Sequence, residues 1–197
     1  MDARKFKQKL LDELYKTYTR DEPCHLGFNR TNIVYGDGNA DSDLMFVGEA
    51  PGEEEDKQGK PFVGRSGQLL NKALSHVKIN RESVYITNVV KCRPPKNRAP
   101  LPQEMEFCKN LFLDKQIKII QPKIIVTLGT TSSNALIGEV IKITKIHGIK
   151  IIKDNLVIIP IFHPAYILRN QTLLNSWVAD FETIKKELET IKTAETN

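Results

Sequence analysis

Cysteine is scarce in this sequence, tryptophan scarcer, and no apolar run is long. Three cysteines in 197 residues are too few for the disulfide framework of a small secreted fold, and they point to thiols kept reduced for another purpose. The longest apolar stretches, such as LVIIPIF, have the length of a strand. A membrane-spanning helix needs about 20 apolar residues, so no membrane association is expected. The opening MDARKFKQKL has no uninterrupted apolar segment after its charges. It reads as an amphipathic helix rather than a secretory signal, and a cytoplasmic protein is expected. Repeats and low-complexity blocks are missing too. Charge of one sign does not dominate: 29 Lys and Arg stand against 24 Asp and Glu, a net +5. That balance suits a polyanionic partner without requiring one.

The length fits one domain, 1–197, with a full hydrophobic core. Phe6, Leu10, Leu11, Leu14 and Tyr15 recur at helical spacing near the start. Residues 20–43 are rich in Gly, Asn, Asp and Pro and read as turns. Four short apolar runs follow at 43–48, 83–90, 123–129 and 155–164, separated by helical patterns such as RSGQLLNKALSHV and LPQEMEFCKNLFLDKQIKII. Strands alternating with helices predict an α/β fold, a three-layer α/β/α sandwich around a four-stranded parallel sheet. IHGIKIIKDNL reads as a small hairpin on a Lys-Asp-Asn turn, and residues 176–193 as a last helix that frays beyond.

Parallel sheets collect ligands beyond the carboxyl ends of their strands. Those ends carry Gly48 to Gly52, Asn88 to Arg93, Gly129 to Ser132, and His163 to Arg169. In VGEAPGEEED, Glu53, Glu54 and Asp56 read as solvated charges in a helix first turn, with a divalent-cation site as the alternative. Glu49 and Glu55 flank a turn fixed by Pro51 and two glycines, where a carboxylate can instead point inward. His163, at a strand end before Pro164, is either a donor to a developing anion or a hydrogen-bonded core residue. Asn88 offers a donor and an acceptor side by side, suited to a base edge or equally to capping a turn. Phe62, in GKPFVGRSG, is a core aromatic or a stacking platform.

Together GEAPGEEEDKQGKPFVGRSGQLL, VYITNVVKCRPPKNRAP and HPAYILRN give the chain a resemblance to the thermostable, iron-sulfur uracil-DNA glycosylases of family 4. The likeness spans Cys24 to Trp177 and Asp180, and it implies an enzyme that acts on uracil-containing DNA. It implies that Phe62 stacks on an extruded uracil, Asn88 bonds the uracil edge, and His163 stabilises charge on uracil O2. Glu55 would close the pocket near C5, beside Gly48. Glu49 stands next to Ala50, which occupies the position where other branches hold a water-orienting aspartate. Past His163, Leu168 is the expected wedge into the duplex and Arg169 a phosphate contact. Arg65 and Ser66, at a helix start, are phosphate contacts or solvated loop residues.

The resemblance also implies a four-iron four-sulfur cluster on four cysteines. Cys24, Cys92 and Cys108 match the last three, but Asp21 stands in the first position, and a carboxylate is a harder ligand than thiolate. Asp21, water or His25 at the fourth iron, a three-iron cluster, zinc, or buried thiols alone are the possibilities. A monomer is expected, with downstream repair proteins as possible partners, and the abundant Ile and Lys agree with heat adaptation. Two rival functions stay open: a damage-binding protein without turnover, and a metal-dependent phosphoesterase.

Overall fold

A computed structural model describes residues 2–17, 25–28, 30–154 and 156–196. Helix α1 (Ala3–Lys16) opens the fold, capped by the Asp2 carboxylate on the Arg4 N–H. Then come β1 (Asp37–Gly38), β2 (Leu44–Gly48), α2 (Glu53–Gln58), α3 (Arg65–His76) and β3 (Tyr85–Asn88). Helices α4 (Pro102–Cys108) and α5 (Asp114–Ile120) are joined by a π-turn, and lead into β4 (Ile124–Leu128) and α6 (Thr130–Ile137). The chain continues through α7 (Ile143–Ile146), β5 (Ile151–Lys153), β6 (Leu156–Ile161), α8 (Pro164–Arg169) and α9 (Leu174–Thr196).

The sheet order is β1-β3-β2-β4-β6-β5. The four central strands run parallel, as the sequence predicts, but antiparallel strands β1 and β5 extend the sheet to six. β5 is one arm of the predicted hairpin, whose turn places Asp154 at φ 50°. β1 is only two residues long and lies where turns were expected. The last helix starts earlier than predicted and continues to Thr196 instead of fraying after 193.

Every residue of β2, β3 and β4 is buried, because helices cover both faces of the parallel core. Alternation along β2 divides the interior. Leu44 and Phe46 join Leu70, Leu74, Trp177 and Phe181 on the α3 and α9 side, while Met45 and Val47 join Leu11, Leu113 and Ile125 on the α1 and α5 side. The indole N–H of Trp177 donates to the Phe162 carbonyl at 2.9 Å and so ties α9 to the end of β6. From β2 the chain crosses to β3 on one side and later to β4 on the other. The carboxyl ends of β2 and β4 therefore flank a topological switch point, where such sheets open a crevice. No described helix is long and apolar enough to cross a membrane.

Candidate active site

A cavity of about 760 Å³ opens at that crevice, and all four predicted strand ends contribute to its lining. Phe62, Asn88 and His163 line it together with Glu49, Glu55 and Ser66.

Phe62 sits between α2 and α3 with φ 53°, a left-handed backbone that non-glycine residues seldom adopt. Its surroundings hold it there. A Cβ on Gly67 would stand 1.8 Å from the Phe62 carbonyl oxygen, so the first turn of α3 can seat that carbonyl only because residue 67 is glycine. The Glu55 carboxylate accepts from the Val63 and Gly64 N–H groups at 2.9 and 2.8 Å. Arg81 donates to the Pro61 carbonyl and to Asn71, both at 2.7 Å. Phe62 is thus a fixed, buried aromatic face.

Asn88 ends β3 opposite Gly48 of β2 and is 1% exposed. A Cβ on Gly48 would lie 2.3 Å from Asn88 Oδ1 and 2.6 Å from Phe62 Cζ, so glycine allows amide and ring to meet over the strand. Asn88 Oδ1 has no hydrogen-bond partner among the described residues. Gln116 Oε1 shares that condition, but only Asn88 lines the cavity, where a ligand N–H group can supply the donor.

His163 has the expected extended backbone and caps α8: its Nδ1 accepts from the Ala165 N–H at 3.1 Å. With Nδ1 an acceptor, a neutral ring carries its proton on Nε2. Burial, with help from the Arg169 charge, lowers its pKa to about 4, so the ring is neutral at physiological pH. Its centroid lies 5.8 Å from that of Phe62. An aromatic face, an unpaired acceptor and a neutral N–H donor on one cavity suit a planar heterocycle that presents N–H and C=O groups.

The acidic run divides differently from expectation. Glu53 and Glu54 are exposed and pair with Lys57, and Glu53 also lies 3.4 Å from Arg93. Asp56, expected in solvent, is buried: its carboxylate accepts from the Thr31 and Asn32 N–H groups at 2.9 to 3.3 Å. These backbone donors hold it inward. Glu49 lines the cavity, as does Glu55, whose Oε1 is occupied by the loop.

At the rim, Ser66 and Arg169 are on the lining, whereas Arg65 is exposed and off it. Leu168 is half-buried and does not line the cavity. Tyr166 does, at 38% exposure and stacked on Phe162 with centroids 5.5 Å apart. Tyr166 lies within the predicted end at His163 to Arg169 but was not singled out there, although His163, Tyr166 and Arg169 follow a helical three-residue spacing that puts them on one face. Thr130 and Thr131 line the cavity from the predicted strand end at Gly129 to Ser132, whereas Ile143 and Thr144 belong to a segment that no chemistry singled out.

Cys92 and Cys108 are buried in one small apolar cluster with Leu14, Leu26, Val90 and Phe112. The Lys91 N–H donates to Cys108 Sγ at 3.2 Å, and Arg30 Nη1 to Cys92 Sγ at 3.7 Å. Asp21 and Cys24 lie outside the described residues, as does the side chain of His25. Among the described residues no three metal-type ligands converge.

The fold and its switch-point cavity define an α/β protein whose site suits a planar heterocycle. The chain belongs to the uracil DNA glycosylase superfamily, whose family model matches residues 35–188. It is 48% identical over 170 residues to a type-4 uracil-DNA glycosylase of Thermotoga maritima, covering 84% of this chain and 87% of that protein. To the type-4 uracil-DNA glycosylase of Sulfurisphaera tokodaii it is 40% identical over 185 residues, 89% and 84% of the two chains. A type-5 uracil-DNA glycosylase of Pyrobaculum aerophilum is more distant, at 32% over 115 residues, 51% of this chain and 50% of that one.

Proposed function

We propose that this chain, acting as one glycosylase domain, turns uracil out of DNA and hydrolyses its N-glycosidic bond, leaving an abasic site. The observation that carries this is the orphaned Asn88 Oδ1 on the cavity that the Phe62 ring and the His163 imidazole also line. Uracil N3–H supplies the missing donor, and the Asn88 amide N–H can meet O4 in return. Cytosine presents an acceptor at N3 and a donor at C4, so it opposes both contacts. Phe62 stacks on the base, and Glu55 with Gly48 bounds the space near C5.

As the C1′–N1 bond breaks, its electron pair passes into the uracil ring. The His163 Nε2–H group donates to O2 as that oxygen gains charge, an interaction strengthened by the shielded site. A water then bonds C1′, and the proton it gives up to solvent is balanced by the one the departing uracil anion takes up. Glu49 lines the cavity, and among the described residues its carboxylate, unlike that of Glu55, holds no backbone N–H; it is assigned the orienting of that water. Arg169, Ser66 and Arg65 are assigned to phosphates. Gap filling passes from Leu168 to Tyr166, because Tyr166 is on the cavity face of α8.

The cysteine corner suits a metal-bound thiolate site: two sulfurs share one apolar cluster, and N–H donors already aim at both. Cys92 and Cys108, with Cys24 and Asp21, would hold a four-iron four-sulfur cluster, whose contribution is structural: it fixes the loop that runs from Cys92 past the cavity. Iron analysis and visible absorbance test this.

The deciding experiment is excision from a single-uracil oligonucleotide in the presence of chelator. Abasic product formed without divalent metal is expected. Binding without turnover would favour a damage sensor, and activity that chelator abolishes at once a metal-dependent phosphoesterase. Against the latter, the acidic run is divided between Lys57, Arg93 and the buried contacts of Asp56.

A further inference from the structure

Lys91 has no place in the chemistry above, yet it is 0% exposed. A buried ammonium loses its hydration, whereas an apolar side chain of similar length would fill the same space without that cost. Both of its acceptors are neutral oxygens. Nζ donates to Thr87 Oγ1 at 2.6 Å and to the Asn88 carbonyl at 2.7 Å, while the Thr87 hydroxyl donates onward to the Tyr35 carbonyl at 2.8 Å.

These bonds close a ring at the end of β3. The main chain runs from Asn88 to Lys91, and the lysine side chain returns to the carbonyl three residues back. The peptide joining Asn88 to Val89 is held from both sides, its carbonyl by Lys91 and its N–H by the Gly48 carbonyl at 2.8 Å. Lys91 itself is anchored: its N–H donates to Cys108 Sγ and its carbonyl accepts from the Val34 N–H at 2.8 Å. The Asn88 amide depends on this arrangement, because its oxygen lies so close to Gly48 that a small turn of the peptide moves it off the base or into the strand.

We propose that Lys91 is a positioning residue for uracil recognition, clamping the Asn88 peptide so that the orphaned amide oxygen is held in register with the base. The proposal rests on the uracil reading of the pocket and links it to the cysteine corner through a single residue.

The test uses the full chain with its native metal content and a single-stranded uracil oligonucleotide, with kcat, KM, inhibition by free uracil, iron per chain and melting temperature measured together. Lys91→Met is expected to lower kcat and to raise the uracil inhibition constant, each by about tenfold or more, with iron content and affinity for uracil-free DNA unchanged. In an Asn88→Ala background the same substitution is expected to cost almost nothing further, because a residue acting through Asn88 has nothing left to position. Kinetics and uracil inhibition within about twofold of the parent, or losses that multiply in the double variant, overturn the proposal. Should Lys91→Met fail to fold, Thr87→Val removes one acceptor, and an approximately threefold rise in the uracil inhibition constant is expected; no change overturns the proposal. A parent chain that releases no uracil would instead remove the underlying reading of the pocket.

Discussion

At the floor of the cavity, Phe62 and Asn88 are held by backbone bonds, a buried lysine and two close glycine contacts. At the rim, Tyr166 and Arg169 stand exposed on a helix of six residues. The difference follows what each part must recognise. A base edge is read by hydrogen bonds that fail within a fraction of an ångström, so the floor is built on a strand end and a loop clamped through its main chain. A sugar-phosphate chain is met by charge and a stacking surface, which tolerate movement.

The largest expected effect comes from the floor. His163→Ala should lower kcat by about 100- to 1000-fold with folding intact, the usual loss when one donor to a developing anion is removed. A kcat close to the parent's would free His163 from that role. The same residue fixes an expected pH profile. Its pKa of about 4 in the fold lies below the ordinary 6.5, so the acid limb due to His163 should fall near pH 4. The sign for stability follows: the unfolded chain binds the proton more readily, so this contribution is lost as pH falls from 6.5 toward 4. Titration of the ring by NMR checks both.

Gly48→Ala should come next. The new methyl would need the space of Asn88 Oδ1 and the Phe62 ring. Uracil excision should drop by about 100-fold, with uracil-free DNA bound as before. A crystal structure showing both side chains unmoved would break the contrast between floor and rim.

At the rim the effects should be smaller and fall on DNA engagement. Tyr166→Ala is expected to raise KM for double-stranded substrate by about tenfold and for single strands much less, with Leu168→Ala milder on both, since stacking on a base contributes about 1–3 kcal/mol. The reverse order would return the wedge to Leu168. Arg169→Ala should weaken binding to every sequence alike and reduce the salt slope of log affinity by about one.

The parallel core and its strand ends were legible because fully buried strands leave short apolar runs that end in glycine or polar residues. Phe62, Asn88 and His163 became specific only when three motifs were taken together. Asp56 could not be placed from sequence, since its partners are backbone groups 24 and 25 residues away. Lys91 resembles any loop cation until the strand beside it is folded. β1 is too short to show a period, and the π-turn after Cys108 leaves no mark in a helical pattern. Tyr166 was readable in principle from its three-residue spacing to His163, but a six-residue helix carries too little pattern to set it apart.

The seating of the Phe62 carbonyl on Gly67 bears on how the pocket could be reshaped. The contact belongs to the main chain, so the ring can be exchanged for another flat or smaller group while the loop beneath keeps its course. A methyl at residue 67 would dislodge the whole platform. Variants meant to admit bulkier lesions should therefore vary the side chain at 62 and leave the start of α3 alone.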